Sequence, residues 1–358
     1  MIDLEVVVVA GGRGTRLKPI LGDTPKVLAE FGGKSNLSRI VELVNRHGGT
    51  KVTVLAGVGA SKVAQEIDRL KILMPHVRIE LLIEEQELGT AGCFNVLKGR
   101  RDHSSSLLVI YGDILCDFSI PHFLHAHEKS ECLASVFVQP NNHLFDSDLV
   151  ELSSSGKIKR IHKKPHSVSI SGTLSLTNAA VYLIKVEALD RLNPGCSDWF
   201  HDVFPRLIAD GYGVYGYDSS EYLHDYGTEE RYAKALIDIE RDIVGKRNKG
   251  VIRNSLFLIE RLVRTSNIDQ RNTLIDLLKI ANEYRIPIVL MTEGRLEPWI
   301  HWCWENNVYF DHAKQGSSFR DIKLNFVENN NLVVSSEFNV CNSENMKTAL
   351  TVLKENSQ

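Results

Sequence analysis

The run Leu4–Ala10 is stopped at once by Gly11-Gly12-Arg13-Gly14-Thr15-Arg16-Leu17. A short, unbroken run rich in valine favours a strand covered on both faces, as in the interior of a parallel sheet. Glycines placed directly after such a strand let backbone N–H groups come close to an anion. Arg16 adds a planar, two-pronged donor for phosphate oxygens. Lys26, in the Pro25-Lys26 pair farther on, adds a mobile point charge. The loop is not a Walker A motif, because no Gly-Lys-Ser/Thr follows. It is not a dinucleotide fingerprint either, because Leu17 stands where the third glycine belongs. Its donors (Gly11, Gly12, Arg13, Gly14, Thr15 and Arg16) suit a triphosphate.

The pattern downstream sets the fold class. Strand-like runs at Lys51–Ala56, Val77–Ile83 and Ser106–Tyr111 alternate with helix-like stretches at Ser38–Arg46, Ser61–Leu73 and Thr90–Leu97. That alternation implies a mostly parallel sheet covered by helices on both faces. From Cys132 the pattern changes. Cys132–Gln139, Leu149–Leu152, Lys157–Ile161, Asn178–Ile184 and Gly213–Tyr217 read as strands, Val186–Leu192 and Trp199–Ala209 as helices, and Thr228–Arg241 as a closing amphipathic helix. Residues 244–250 are basic, with two glycines, and read as a linker between a first domain, 1–243, and a second, 251–358.

Composition excludes several classes. The 358 residues carry a formal net charge of −3, which does not favour nucleic-acid or membrane binding, so any anion site must be local. No apolar run reaches the ~18 residues needed to cross a bilayer. The run Leu4–Ala10 follows Asp3 and not a basic segment, so it does not read as a signal peptide. Six scattered cysteines without a CxxC pair make a disulfide framework or zinc site improbable, and a cytoplasmic location is expected.

Two aspartates add a second chemistry. Gly112-Asp113 follows the strand Leu107–Tyr111, at the sheet edge where open α/β folds bind ligands. Asp225-Tyr226-Gly227-Thr228 precedes the closing helix. Each alone reads as a turn or helix cap. Two carboxylates plus substrate phosphates would satisfy Mg²⁺, a hard oxygen-seeking ion. Asp117 lies close by and is expected to cap the helix that starts near Ser119. His122, His125, His127, His162 and His166 read as surface or packing residues.

The stretch Ala10–Leu28 resembles the signature of nucleotide-sugar pyrophosphorylases (sugar-1-phosphate nucleotidyltransferases), Gly-x-Gly-Thr-Arg-Leu followed by Pro-Lys. The resemblance extends with weaker motifs to about Glu240. It implies a Rossmann-like α/β/α sandwich and condensation of a nucleoside triphosphate with a sugar 1-phosphate. By resemblance, Arg16, Lys26, Asp113 and Asp225 are the catalytic set, and Asp113 and Asp225 the Mg²⁺ ligands. Glu84–Gly92 resembles the family's base-pocket segment Glu-x-x-Leu-Gly-Thr-Ala-Gly, worded most like mannose- and heptose-1-phosphate guanylyltransferases. It places Glu84, Glu85, Gly89 and Thr90 at the nucleotide. A carboxylate accepts well from the paired N1–H and N2–H₂ donors of guanine, so Glu84 or Glu85 is expected to select GTP. Cytidylyl, uridylyl and thymidylyl alternatives stay open.

Two departures touch the sugar. Lys163-Lys164-Pro165 stands where the family has Glu-Lys-Pro, and Asn178-Ala179-Ala180 where it has Asn-Ala-Gly. Lys164 and Asn178 remain the expected contacts to the sugar phosphate. These departures favour a regulatory protein that binds a nucleotide sugar, as the alternative to an enzyme of polysaccharide biosynthesis.

Residues 251–358 carry a second small α/β pattern. Strands are expected at Ser255–Ile259 and Ile286–Met291, helices at Thr273–Tyr284 and Glu297–Glu305, and a hairpin from Lys323–Val327 and Leu332–Ser335. The segment faintly resembles a haloacid-dehalogenase-type domain, but Ile259-Glu260-Arg261 lacks that family's aspartate pair, which implies a degenerate copy. Trp299, Trp302 and Trp304 read as packing residues, with homo-oligomerisation through this segment as the expectation.

Overall fold

In the computed structural model the described residues are 4–12, 14–100, 105–140, 147–164, 176–219, 221–240, 242 and 244; farther on they are 254–259, 268–283, 288–292, 298–299, 302–303, 306, 312–315 and 336–339. Contacts divide the chain into two units. The first comprises Met1–Phe137, Leu152–Arg160 and Asn178–Asn248, and the second Val138–Glu151, Ile161–Thr177 and Lys249–Gln358.

In chain order the first elements are β1 (Glu5–Ala10), α1 (Asn36–Arg46), β2 (Lys51–Ala56), α2 (Ala60–Leu73), β3 (Arg78–Ile83), β4 (Ser106–Tyr111), β5 (Ile114–Asp117) and α3 (Ile120–Ser130). They are followed by β6 (Ala134–Pro140), β7 (Leu149–Leu152), β8 (Ile158–His162), β9 (Leu176–Lys185), α4 (Phe204–Ala209), β10 (Val214–Asp218), β11 (Tyr222–Asp225) and α5 (Glu229–Glu240).

The central strand is β1, as its valines demand. β2 pairs with it in parallel from Glu5↔Lys51 to Ala10↔Ala56, and β4 does so from Glu5↔Leu107 to Val9↔Tyr111. β3 continues the sheet parallel to β2, and β9 continues it on the other side, antiparallel to β4. Val6, Val7 and Val8 are all buried, since helices cover both faces. On one face α1 buries Leu37, Ile40, Val41 and Val44, and α2 buries Val63, Ile67 and Leu70, at the helical repeat of a one-sided apolar stripe. These side chains form a single core cluster with Val6, Val8, Val52 and Val54. Ser35 starts α1 by accepting the N–H of Ser38 at 3.0 Å. Elsewhere an aromatic layer stacks edge to face, Phe94 on Trp199 and Tyr182 on both Tyr111 and Phe204.

The expected Rossmann-like α/β sheet, mostly parallel, is therefore present. Its details differ in several places, and the expected helix over Val186–Leu192 is a 3₁₀ segment, Val186–Arg191. The stretch expected as a helix over Thr90–Leu97 is one turn, Gly89–Gly92, followed by a 3₁₀ segment, Cys93–Leu97. The Trp199–Ala209 helix begins as a π-turn over Trp199–Val203 and becomes α-helical where Pro205 sits in its first turn. Two short strands had no clear sequence signal, β5 and β11, and they pair antiparallel with each other. Asp117 does not cap α3. Ser119 does, accepting from the His122 N–H, while the Asp117 carboxylate pairs with Arg46.

Within the second unit, Leu149 and Val150 of β7 pair antiparallel with Thr177 and Leu176. The C-terminal residues form a four-stranded parallel sheet. β12 (Asn254–Ile259) lies between β13 (Ile288–Thr292) and β15 (Ser336–Asn339), and β14 (His312–Gln315) flanks β13. Helix α6 (Ile268–Glu283) buries Leu274, Leu277 and Leu278. Trp299 is buried and Trp302 half-buried, while Trp304 and the expected 323–335 hairpin lie outside the described residues. Among the described residues no helix is long and apolar enough to cross a membrane.

Candidate active site at the glycine-rich loop

The loop leaves β1 at the carboxyl edge of the sheet. Gly14 has φ 62°, which costs glycine nothing, and a Cβ there would stand 3.2 Å from Lys26 Cγ. The backbone then closes a 3₁₀ turn over Thr15–Leu17, with the Leu17 N–H donating to Gly14 O at 3.1 Å and the Leu17 side chain fully buried. This anchor leaves Arg16 exposed, with no ion-pair or hydrogen-bond partner among the described residues. Arg13 lies outside the described residues.

Four of the expected catalytic residues meet here. Lys26 Nζ donates to Asp113 Oδ2 at 2.8 Å, both groups being largely shielded. A Cβ at Gly227 would stand 2.9 Å from Asp225 Oδ1 and 3.7 Å from both Arg16 Nη2 and Lys26 Nζ. Those three groups therefore surround one small space that only glycine leaves open. Asp225 Oδ1 accepts the Gly227 N–H at 2.6 Å, and Oδ2 accepts from Arg231 Nη1 at 2.6 Å.

The scaffold around them rests on two residues that the sequence did not single out. The hydroxyl of Tyr226 lies 2.9 Å from Lys26 O and 2.7 Å from Gly112 O, so one buried phenol ties the Lys26 turn to the Asp113 turn. Burial holds that phenol well above its usual pKa, and the neighbouring Asp113 charge adds to the effect. Asn36, fully buried, donates through Nδ2 to Gly112 O at 3.1 Å and to Ile114 O at 3.0 Å, fixing the same turn from the α1 side. A lone Asn at a helix start reads as a cap, and a lone Tyr as core. Only their partners, 76 to 200 residues away in sequence, reveal the role.

The expected base-reading residues lie beside the loop. Glu84 Oε1 accepts the Leu88 N–H at 2.6 Å, and a Cβ at Gly11 would stand 2.6 Å from Glu84 Oε2. Glu84 and Glu85 line a pocket of about 280 Å³ with Leu55, Leu82, Leu88 and Cys93. Thr90 faces elsewhere: its hydroxyl donates to Asp198 Oδ2 at 2.6 Å, and Gly89 packs against the Ser197 carbonyl.

Asn178 is engaged within its own strand. Its Oδ1 accepts the Ala180 N–H at 2.8 Å and its Nδ2 donates to the Tyr182 hydroxyl at 2.9 Å. Lys164 belongs to the second unit, where its N–H donates to Asp148 Oδ1 at 2.9 Å.

Asp113 and Asp225 offer only oxygen donors, at neighbouring turns, and both are partly open to solvent. Among the described residues no cluster of three or more His, Cys, Asp or Glu side chains exists. Two carboxylates completed by ligand phosphates are what a hard divalent cation accepts, so the residues present fit Mg²⁺.

A parallel sheet with a cationic glycine loop at the carboxyl edge of its central strand, faced by two carboxylates, defines a nucleotide-handling α/β protein. Residues 5–242, well over half the chain, match the family model described as Nucleotidyl transferase, and the protein belongs to that family. It is 24% identical over 211 residues to the mannose-1-phosphate guanylyltransferase catalytic subunit beta of Dictyostelium discoideum, covering 58% of this chain and 56% of the relative. It spans 56% to 64% of the length of the first three curated relatives it matches. Solved structures share the fold. HddC from Yersinia pseudotuberculosis, complexed with GMP-PN, has a TM-score of 0.54 at 21% identity, covering 65% of this chain and 98% of that one. A putative glucose-1-phosphate thymidylyltransferase from Bacillus anthracis has a TM-score of 0.56 at 19% identity, covering 65% and 94%.

Proposed function

We propose that residues 1–243 form a catalytic domain that condenses GTP with a sugar 1-phosphate of the mannose or manno-heptose type, releasing pyrophosphate. The observation that carries this reading is the convergence of Arg16, Lys26, Asp113 and Asp225 around Gly227. The nucleophile is a phosphate oxygen that is already anionic, so no general base is required. It attacks the α-phosphorus in line, one P–O bond forms, and the bond to the pyrophosphate oxygen breaks. Arg16, exposed at the loop tip, neutralises the leaving pyrophosphate. Lys26, held in place by Asp113, meets charge developing at the α-phosphate. Asp113 and Asp225 would hold Mg²⁺, which supplies further charge neutralisation when bound.

For the base, Glu84 and Glu85 at the rim of a largely apolar pocket support guanine, and so do the guanylyltransferases among the relatives. Lys164 and Asn178 are the proposed contacts to the sugar phosphate. The exposed, unpaired thiol of Cys196 accords with a reducing, cytoplasmic setting.

A second reading, a nucleotide-sugar-binding regulator, is favoured by one observation: Ala180 holds a left-handed backbone in the segment expected at the sugar. The experiment that separates the two measures pyrophosphate release with Mg²⁺, each common NTP and a panel of sugar 1-phosphates. Release confined to GTP, and lost in Lys26→Ala, is the expected outcome. Release with another NTP overturns the base assignment. No release with any pair, despite tight nucleotide-sugar binding, establishes the regulator.

A further inference from the structure

Each of the two carboxylates proposed as metal ligands is already held by a cation of the chain, Asp113 by Lys26 and Asp225 by Arg231. The first cation has a role in the proposed chemistry. The second does not, and its placement is specific. Arg231 stands in the first turns of α5, six residues past Asp225. Its own backbone is pinned on both sides. The N–H donates to Thr228 Oγ1 at 3.4 Å, and the carbonyl lies 3.0 Å from His224 Nε2, which donates to it. The guanidinium then reaches back to Asp225 Oδ2 at 2.6 Å, while the Gly227 N–H holds Oδ1 at 2.6 Å. One carboxylate oxygen is thus held by the turn that leads into α5 and the other by the helix's first turn.

Among the described residues, the charged groups that meet this carboxylate pair or the space at Gly227 are Arg16, Lys26 and Arg231 against Asp113 and Asp225, three cations against two carboxylates. That excess opposes a bare divalent cation and is reversed only when phosphates enter. We propose that Arg231 is the positioning residue for Asp225, and that its charge keeps the carboxylate pair weak for a divalent cation until nucleotide is bound. Partners behind a metal-ligating carboxylate fix its orientation and set how strongly it binds. The inference rests on the reading of Asp113 and Asp225 as the cation pair.

The test titrates Mn²⁺ into the full-length chain and follows the free-ion paramagnetic resonance signal, with and without a non-hydrolysable GTP analogue. Arg231→Gln is expected to bind Mn²⁺ alone about fivefold more tightly than wild type, the scale of one partly exposed charge. The gain in Mn²⁺ affinity that the analogue brings should shrink, and kcat should fall while KM for GTP changes little. Arg231→Lys, which keeps the charge, should restore the weak affinity for Mn²⁺ alone. Thermal melts of both variants check folding. Unchanged Mn²⁺ affinity in a folded Arg231→Gln, with Asp225→Asn binding impaired, overturns the role of Arg231 alone. Wild-type Mn²⁺ binding by Asp225→Asn overturns the carboxylate-pair reading and this inference with it.

Discussion

Ala180 sits at φ 56°, a region that an L side chain enters at a cost of about 1–2 kcal/mol. What holds it there is local. The Asn178 carboxamide accepts the Ala180 N–H, and the same amide donates to Tyr182. The sequence flags this position as one where alanine replaces the family's glycine. The structure shows what that costs, through the sign of a backbone dihedral. Glycine gives back part of that relief because it raises the entropy of the unfolded chain, so Ala180→Gly should stabilise the chain by a net of about 0.5–1 kcal/mol. A shift of the denaturant midpoint upward at constant m-value is the expected reading. A downward shift would mean that the turn carries no strain.

At the scale of elements, the site depends on two strands of four residues each, β5 and β11. Their antiparallel pairing sets Asp225 opposite Ile114, one residue from Asp113. The Tyr226 hydroxyl then couples this pair to the turn that carries Lys26. Tyr226→Phe removes the shared donor from two buried carbonyls and should cost about 1–2 kcal/mol of stability. It should also lower kcat several-fold, since Lys26 and Asp113 both lose a backbone anchor. Stability lost with kcat intact would confine Tyr226 to a packing role. Neither strand was legible in sequence, because Ile114–Asp117 is too short to show alternation and Tyr222–Asp225 is broken by polar residues. The long elements were legible for the opposite reason. β1 is a run of valines, and α1 and α2 repeat their apolar residues at helical spacing over three turns.

Across the whole molecule, buried histidines set a pH limit. Burial among apolar neighbours drives His127 down to about 4, with the Lys185 charge adding to the shift; its Nδ1 meets Ser135 Oγ at 2.7 Å. His224 is likewise held at about 4. For both, the folded state resists a proton that the unfolded chain accepts near pH 6.5. Their contribution is fully present above pH 6.5 and is lost as pH falls toward 4. Urea titrations from pH 7 to 4 should show stability declining through this window, and His127→Gln should flatten part of the decline. A profile level down to pH 4.5 would rule out this origin.

What the amino-acid sequence determined by itself is the central strand, the alternating sheet and the glycine loop. These follow from hydrophobic periodicity and from residues whose conformational range is narrow or unusually wide, both of which are local properties. It also marked Arg16 and Lys26, whereas Asp113 and Asp225 stood out only through the resemblance to family motifs, since each carboxylate alone reads as a turn or helix cap. Only the tertiary structure decided which side chains meet. Lys26 and Asp113 are 87 residues apart in sequence, and Tyr226 reaches across 200 residues to Lys26. No periodicity encodes such pairings. They exist because the parallel sheet brings the carboxyl ends of β1 and β4 to one edge, and the short β5–β11 pair carries Asp225 back to it.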